Sequence, residues 1–132
     1  MTARWAFRYY VAPNGERDVR DSFERGSKKL KGAFQSRVAW LAQLEFREWQ
    51  GVAYKALHRE CAGLGEIRFK ADGVQQRPVG FRSGEAEFTI LFWAREKGDK
   101  FVPRDTCAIA QARKREVESD RGRTDALWIA LE

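Results

Sequence analysis

Four segments of the chain are strand-like, and in three of them apolar and polar residues alternate, a pattern that predicts β-strands with one buried face. The first segment runs from Trp5 to Val11 and ends at the turn sequence APNG. Three later segments are separated by the hairpin-favouring dipeptides Asp-Gly and Ser-Gly, and they span residues 66–71, 75–82 and 87–95. These three segments predict an antiparallel meander.

The last strand of the meander differs from the others because its sequence, EFTILFWA, is apolar at successive positions. Such a strand is buried on both faces, so it is predicted at the centre of the sheet with helices covering it. The middle strand contains Pro78, which has no backbone N–H group to donate. Pro78 therefore predicts that the middle strand lies at an edge of the sheet or is locally bulged.

Helical spacing of apolar residues appears between the first strand and the meander. Residues 18–26 favour a short helix that Gly26 ends, and Ser27 is suited to cap the helix that follows. That second helix is predicted over residues 28–46, where apolar residues recur at spacings of three and four: Leu30, Phe34, Val38, Leu41 and Leu44. Residues 47–63 have no firm period and are predicted as a loop with a short helical turn.

A terminal helix is predicted after Gly98, with Pro103 near its start and with Ile109, Ala112 and Val117 facing the sheet. The final segment, TDALWIALE, is apolar again. We expect it to pack against the chain's own sheet, because its side chains would otherwise form an exposed apolar patch. Contact with a partner protein or with a second copy is the alternative.

A chain of 132 residues, 43% of them hydrophobic, is long enough to bury one core, and we predict a single domain over residues 1–132. The sequence contains no continuous apolar run typical of a signal peptide or a membrane span, which predicts a soluble cytoplasmic protein. Cys61, Cys107 and the single histidine, His58, form no metal-binding motif. We therefore expect reduced thiols, no metal and no cofactor.

The charge of the chain favours a polyanionic partner, since 25 Lys and Arg residues exceed 19 Asp and Glu residues and give a formal net charge of +6. Arg68 and Lys70 lie two apart in the first meander strand and so share a face, and Arg77 on the next strand is placed to lie beside them. Three further cations close the third strand and its following loop: Arg95, Lys97 and Lys100. Converging side chains would form a phosphate-binding pocket; an ordinary solvated strand face is the alternative.

Four motifs follow the first strand and the helical pair in a fixed order: GLGEIRFK, QQRPVGFR, FTILFWAREKGDKFVP and RDTCAIAQARKRE. In this succession the chain resembles the RelE/HigB superfamily of toxins from bacterial toxin–antitoxin systems, particularly its phage-derived HigB-like branch. The resemblance covers roughly residues 28 to 118. It implies an α+β fold, in which a helical hairpin packs on a small, twisted, mainly antiparallel sheet with a concave basic face, followed by a C-terminal helix.

The resemblance also implies a function: a metal-independent endonuclease that cuts mRNA on the ribosome and is neutralised by a cognate helix-turn-helix antitoxin. In such cleavage the ribose 2′-hydroxyl attacks the adjacent phosphorus, and cations stabilise the charge that develops. By position, the resemblance implies that Arg77 and Arg95 stabilise the transition state, because a guanidinium fork holds two phosphate oxygens. Lys70 or Arg68 then positions the substrate, and Lys70 is counted among the catalytic residues. Three further cations are assigned to substrate binding: Arg82, Lys97 and Lys100.

One departure from the family pattern concerns the catalytic base. Family members supply a late tyrosine or histidine, whereas every tyrosine here lies at or before Tyr54 and His58 is the single imidazole. A lysine of lowered pKa is the remaining candidate for the base, and the candidates are Lys70, Lys97 and Lys100. Two other functions stay open: a ParE-like toxin that inhibits DNA gyrase, and a non-catalytic RNA-binding or phage accessory protein.

Overall fold

The computed structural model describes residues 3–131, so residues 1, 2 and 132 of the predicted domain lie outside the described chain. The described residues form three α-helices and an eight-stranded sheet. In chain order the elements are β1 (Ala6–Tyr10), α1 (Asp18–Glu24), α2 (Lys28–Ala42), β2 (Tyr54–Ala56), β3 (Gly65–Ile67), β4 (Phe69–Ala71), β5 (Val74–Gly84), β6 (Glu87–Lys97), β7 (Lys100–Val102), α3 (Thr106–Ser119) and β8 (Thr124–Ala126).

The sheet has the strand order β2-β3-β5-β6-β1-β8, with β4 also pairing with β5 and β7 with β6. Strand β1 runs parallel to β6, and every other pairing among the described residues is antiparallel. This confirms a mixed α and β fold on a mainly antiparallel sheet. It also confirms the central position of β6, which lies between β5 and β1.

Helices cover both faces of β6, as its two apolar faces require. Ile90 belongs to a hydrophobic cluster that includes Phe34 of α2, while the next residue, Leu91, belongs to a second cluster that includes Ala110 of α3. Helices α1 and α2 contact the sheet more extensively than they contact each other. The structure therefore confirms two covered faces and does not confirm a helical hairpin.

Several element boundaries differ from the sequence prediction. Helix α2 ends at Ala42 instead of residue 46, and the predicted loop over 47–63 contains the short strand β2. Strands β7 and β8 were not predicted, because three residues are too few to display a period. In α3 the exposed Ala112 does not face the sheet, and Ile109 is half-buried. The buried face consists instead of Thr106, Cys107, Ala110 and Val117.

Pro78 lies in an interior strand, so the edge-strand alternative is wrong and the bulge alternative is confirmed. A register shift occurs next to it, between Val79 and Gly80. Because Pro78 cannot donate a hydrogen bond, the ladder between β5 and its neighbour is interrupted, which divides the predicted 66–71 strand into β3 and β4. At the interruption, the backbone N–H of Arg68 donates instead to the Ala53 carbonyl at 2.9 Å.

The two predicted hairpin turns have different outcomes. Asp72 and Gly73 have φ values of 52° and 76°, and positive φ at both positions is what a tight two-residue hairpin requires. The Ser-Gly dipeptide, however, stays within β5, and the turn falls on Glu85 and Ala86. The turn between β5 and β6 is therefore displaced by two residues from its predicted position.

The apolar C-terminal segment packs against the chain's own core, as predicted. Leu127 is buried, and its backbone N–H donates to the Phe7 carbonyl at 2.9 Å. Trp128, Ile129 and Leu131 pack partly buried against the same cluster. No helix among residues 3–131 has the length and apolar character needed to span a bilayer.

The expectation of reduced thiols is contradicted, because Cys61 and Cys107 form a disulfide with a Cα–Cα distance of 5.1 Å. The two residues are 46 positions apart, so their pairing depends on the docking of α3 over the 59–61 turn and could not be derived from spacing. Disulfides persist in oxidising environments and are rare in the cytosol. The pairing therefore gives no support to the cytoplasmic expectation.

We predict that replacing both cysteines by serine lowers the free energy of unfolding by about 2–4 kcal/mol, because the cross-link closes a long loop in the unfolded chain. Urea unfolding of the variant and of the parent measures this difference. Thiol titration of the unfolded, unreduced parent should detect no free thiol, and reduction should release two. Two free thiols before reduction would contradict the pairing.

Candidate nucleic-acid interface

The structure divides the seven predicted site residues among three places. One group lies where β4 and β5 meet, a second lies at the end of β6 and on β7, and Arg82 stands apart from both. The first group is Arg68, Lys70 and Arg77. The second group is Arg95, Lys97 and Lys100. The single concave basic pocket expected from the sequence is therefore not present within the described residues.

The first group shares one face of the sheet, as the alternation predicted. Glu66 is paired with Val79 and Phe69 with Gln76, so the same register places Arg68 opposite Arg77. Lys70 lies on the same face two residue pairs further along, opposite Gln75. These side chains line a cavity of about 360 Å³, which we call the edge cavity. Arg37 of α2 also lines it and was missed, because a cation on a helix gives no signal of which cavity it borders.

Arg77 in the edge cavity is only 3% exposed, and all of its guanidinium nitrogens have partners. Its Nε atom lies 3.1 Å from Glu66 Oε2 and 3.0 Å from Glu96 Oε1. Nη1 donates to the Gln76 carbonyl at 2.9 Å, and Nη2 donates to Gln75 Oε1 at 3.1 Å. Each nitrogen of this buried guanidinium thus has an internal partner, and its charge is neutralised by two carboxylates of the sheet.

Arg68 belongs to the same cluster of charged side chains. Its Nε atom lies 3.2 Å from Glu66 Oε2, within ion-pair distance but without the alignment of a hydrogen bond. Nη1 donates to the Gly51 carbonyl at 3.3 Å. Two guanidinium groups therefore meet two carboxylates, those of Glu66 and Glu96, and the charge of the cluster is balanced internally.

Glu66 is the centre of this cluster and is 4% exposed. Burial raises the pKa of its carboxyl group, although the guanidinium groups of Arg77 and Arg68 act in the opposite direction. Removing one member of a buried ion pair leaves the other charge without a partner, which lowers the free energy of unfolding. The Arg77 cluster therefore holds β3, β5 and β6 together, and this geometry favours a structural role for Arg77 over the catalytic role expected from the sequence.

Arg95 does not converge with Arg77. Arg77 is paired with Ala94 across the β5–β6 ladder, whereas Arg95 is paired with Gln76. Because successive strand residues point to opposite faces, Arg77 and Arg95 project from opposite sides of the sheet. The two proposed transition-state stabilisers therefore cannot hold the same phosphate.

Among the described residues, a set of cations without carboxylate partners lies instead at the end of β6, on β7 and at the adjoining end of α1. We call it the β6–β7 cationic surface, and it consists of Arg25, Arg95, Lys97 and Lys100. All four side chains are exposed, and none of them forms an ion pair within the described part of the chain. Two adjoining cavities, of about 320 and 410 Å³, share Arg95 and Val102 as lining residues.

The local fold explains how this surface is built. Gly98 and Asp99 have φ values of 56° and 62°, so they form a tight turn that places Lys97 opposite Lys100. Beneath Arg95, the indole Nε1 of Trp93 donates to Gln76 Oε1 at 2.8 Å and fixes the floor. Arg25 comes from the end of α1 and was missed, because α1 and β6 are brought together only by tertiary packing.

Arg82 lies away from both groups and lines a separate cavity of about 680 Å³. Its guanidinium carbon is 5.0 Å from the ring centroid of Phe46 and 5.4 Å from that of Trp5. Its Nη2 donates to the Glu85 carbonyl at 2.6 Å. These contacts orient Arg82 at a separate site.

The β6–β7 cationic surface has groups that bind anions and few that transfer protons. Its two cavities are lined by one hydroxyl, that of Ser22, and by one carboxylate, that of Glu96, which is bonded to Arg77. Lys97 and Lys100 are exposed, as is Lys70, so the desolvation that a lysine base requires is missing. The arrangement is suited to holding phosphate groups.

We predict that Arg77→Met lowers the free energy of unfolding by about 3–5 kcal/mol, because the substitution leaves the buried Glu66 carboxylate without its main ion-pair partner. Arg95→Met removes the same charge from an exposed position and should change stability by less than about 0.5 kcal/mol. Chemical denaturation of the two variants checks the difference. Equal stabilities would contradict a structural role for Arg77.

No protein-family model, curated protein or solved structure gave a significant match to this chain. The resemblance to the RelE/HigB superfamily therefore rests on the sequence motifs alone, and what it implies about activity and partners remains a proposal.

Proposed function

We propose that this chain is an RNA-binding protein that holds the phosphates of a single strand on the β6–β7 cationic surface. The observation that supports this most strongly is a contrast between two sets of arginines. Arg77 and Arg68 are committed to buried carboxylates, whereas Arg25 and Arg95 are exposed and unpaired within residues 3–131. Free guanidinium groups are the groups that bind phosphate oxygens in pairs.

The shape of the surface supports a single strand as the ligand. Its cations lie at the end of β6, at the start of β7 and at the end of α1, and among the described residues no helix projects from it as a major-groove reader would. Arg25 and Arg95 line the smaller cavity together, and Lys97 lines the adjoining one. A flexible backbone can pass from one cavity to the next, with a phosphate at each. The choice of RNA over DNA follows from the resemblance to the RelE/HigB superfamily.

Cleavage of ribosome-bound mRNA is the second candidate function. The element order supports it: a strand, two helices, an antiparallel meander and a terminal helix follow one another as the resemblance implies. In this candidate Arg95 stabilises the transition state without Arg77. A helix-turn-helix antitoxin would be its partner in the cell, and inhibition of gyrase by a ParE-like toxin is the competing outcome.

We predict that the triple variant Arg95→Gln, Lys97→Gln, Lys100→Gln binds single-stranded RNA more weakly and with a smaller salt dependence. Each lost phosphate contact reduces the slope of log affinity against log salt by about 0.7, so three contacts reduce it by about 2. Fluorescence anisotropy with a labelled oligoribonucleotide at several salt concentrations measures the slope.

The matched control removes three exposed cations elsewhere: Arg4→Gln, Arg47→Gln and Lys55→Gln. It has the same net charge as the test variant, so a general charge effect would weaken both equally. The proposal requires the slope of the control to stay close to that of the parent. Equal losses in the two triple variants would overturn it.

For the second candidate, we predict that induction of the parent chain arrests growth and creates new RNA ends within translated messages. Arg95→Ala should abolish both effects, because one well-aimed donor contributes about 2.7–4 kcal/mol to transition-state stabilisation. Arg47→Ala serves as the control. Mapping of RNA 5′ ends after induction is the measurement. Intact messages with damaged DNA would favour the gyrase alternative, and intact messages and DNA would leave RNA binding as the function.

A further inference from the structure

A second kind of cavity, which we call the α3 cavity, lies away from the β6–β7 cationic surface. Its volume of about 680 Å³ is within the range typical of small-molecule sites. Helix α3 forms one wall, and the segment that follows Cys61 forms another. The Cys61–Cys107 disulfide joins these two walls, because it connects the 59–61 turn to the first turn of α3. A cavity braced in this way is largely preformed.

One side of the α3 cavity is apolar. Leu64, Phe81 and Val117 are buried residues of the cluster beneath α3, and their remaining exposed atoms face the cavity. Phe46 contributes a further aromatic edge. A flat organic ring could lie against this wall and displace water from it, which is favourable in proportion to the apolar area covered.

Two cations without carboxylate partners border the apolar side. Lys114 and Arg82 both line the cavity, and neither forms an ion pair within residues 3–131. Lys114 Nζ lies 5.4 Å from the ring centroid of Phe81. A Cβ atom on Gly63 would lie 2.8 Å from this nitrogen, so the glycine leaves the space that the ammonium group occupies.

Of the two other charged residues that line the cavity, Arg121 is paired with a carboxylate and Glu118 forms no ion pair within the described residues. Arg121 Nη2 donates to both oxygens of Glu87, at 2.8 and 2.7 Å. Glu118 supplies the one carboxylate among the lining residues. The excess of positive charge is therefore located at Lys114 and Arg82, which is where an anionic group of a ligand would be held.

Tyr54 provides an unused polar group. The residue is 5% exposed and lines the cavity, yet its hydroxyl has no hydrogen-bond partner among the described residues. Burial, assisted by the negative charge of Glu66, raises the pKa of Tyr54 to about 12. The phenol therefore stays protonated and is available to donate to an acceptor atom. The hydroxyl oxygen is not fully enclosed, so a ligand atom in the cavity can reach it and accept its hydrogen bond.

We propose that the α3 cavity binds a nucleoside monophosphate unit, with its base against the apolar wall, its phosphate at Lys114 and Arg82, and a ring acceptor at Tyr54. The unit is either a free nucleotide or the 5′-phosphorylated terminal nucleotide of an RNA strand, since both present the same groups. This site does not depend on the β6–β7 cationic surface, because the two share none of their cations.

Isothermal titration with AMP, adenosine and inorganic phosphate tests the proposal. AMP should bind, and adenosine and phosphate should each bind at least about 10-fold more weakly, because each makes only part of the contacts. Lys114→Gln should weaken AMP binding by about 10- to 100-fold, as expected for loss of a charge-assisted hydrogen bond. Tyr54→Phe should weaken it by about 2- to 10-fold.

Two controls keep the outcome unambiguous. The triple variant at Arg95, Lys97 and Lys100 should retain the AMP affinity of the parent, which separates failure of this site from failure of the RNA-binding surface. Thermal unfolding of the Lys114 and Tyr54 variants checks that they are folded. No binding of AMP at millimolar concentration, or equal binding of AMP and phosphate, would overturn the proposal, as would unchanged affinity in a folded Lys114 variant.

Competition separates the two sources of the nucleotide. If the ligand is an RNA end, a 5′-phosphorylated oligoribonucleotide should displace AMP from the triple variant at least about 10-fold more effectively than the same strand with a 5′-hydroxyl. If the ligand is a free nucleotide, neither oligonucleotide should displace AMP. Equal displacement by both strands would contradict recognition of the phosphate.

Discussion

The buried cluster of Arg77, Glu66 and Glu96 is the interaction on which this account depends. The Arg77 guanidinium joins three strands in this cluster. Its charge, which was predicted from the sequence to bind phosphate, is neutralised by the two carboxylates. Had Arg77 been free, its face of the sheet would form the basic hollow expected of an RNA-cleaving toxin. Because Arg77 is neutralised, a ligand can bind only to the cations that are exposed at the periphery of the sheet.

The consequence is that three sites have different roles: two lie on opposite faces at one end of the β5–β6 ladder, and the third lies beneath α3. The Arg77 cluster stabilises the sheet, the β6–β7 cationic surface carries free positive charge, and the α3 cavity combines an apolar wall with two cations. The disulfide adds rigidity where it is useful, since Cys61 and Cys107 hold together the two walls of the α3 cavity. The net charge of +6 is thus distributed over distinct sites instead of being concentrated in one.

Local patterns predicted much of the fold and part of the site. Alternation identified β1 and the meander, the apolar run identified β6 as central, and the shared face of Arg68, Lys70 and Arg77 is confirmed. A signal for the ion cluster was also present, because Glu66 lies two residues before Arg68 and therefore on the same face. The opposite orientation of Arg95 was not predictable, since it depends on register. The Val79–Gly80 bulge and the displaced turn at Glu85 set that register, and a shift of one residue exchanges the faces of a strand.

The most direct test of the central claim is an NMR titration that follows the arginine Nε–Hε resonances while a short single-stranded RNA is added. We expect the resonances of Arg25 and Arg95 to shift in a saturable manner, and we expect the resonance of Arg77 not to move. A shift of Arg77 comparable to that of Arg95 would show that the buried guanidinium is available to phosphate, and it would contradict the account.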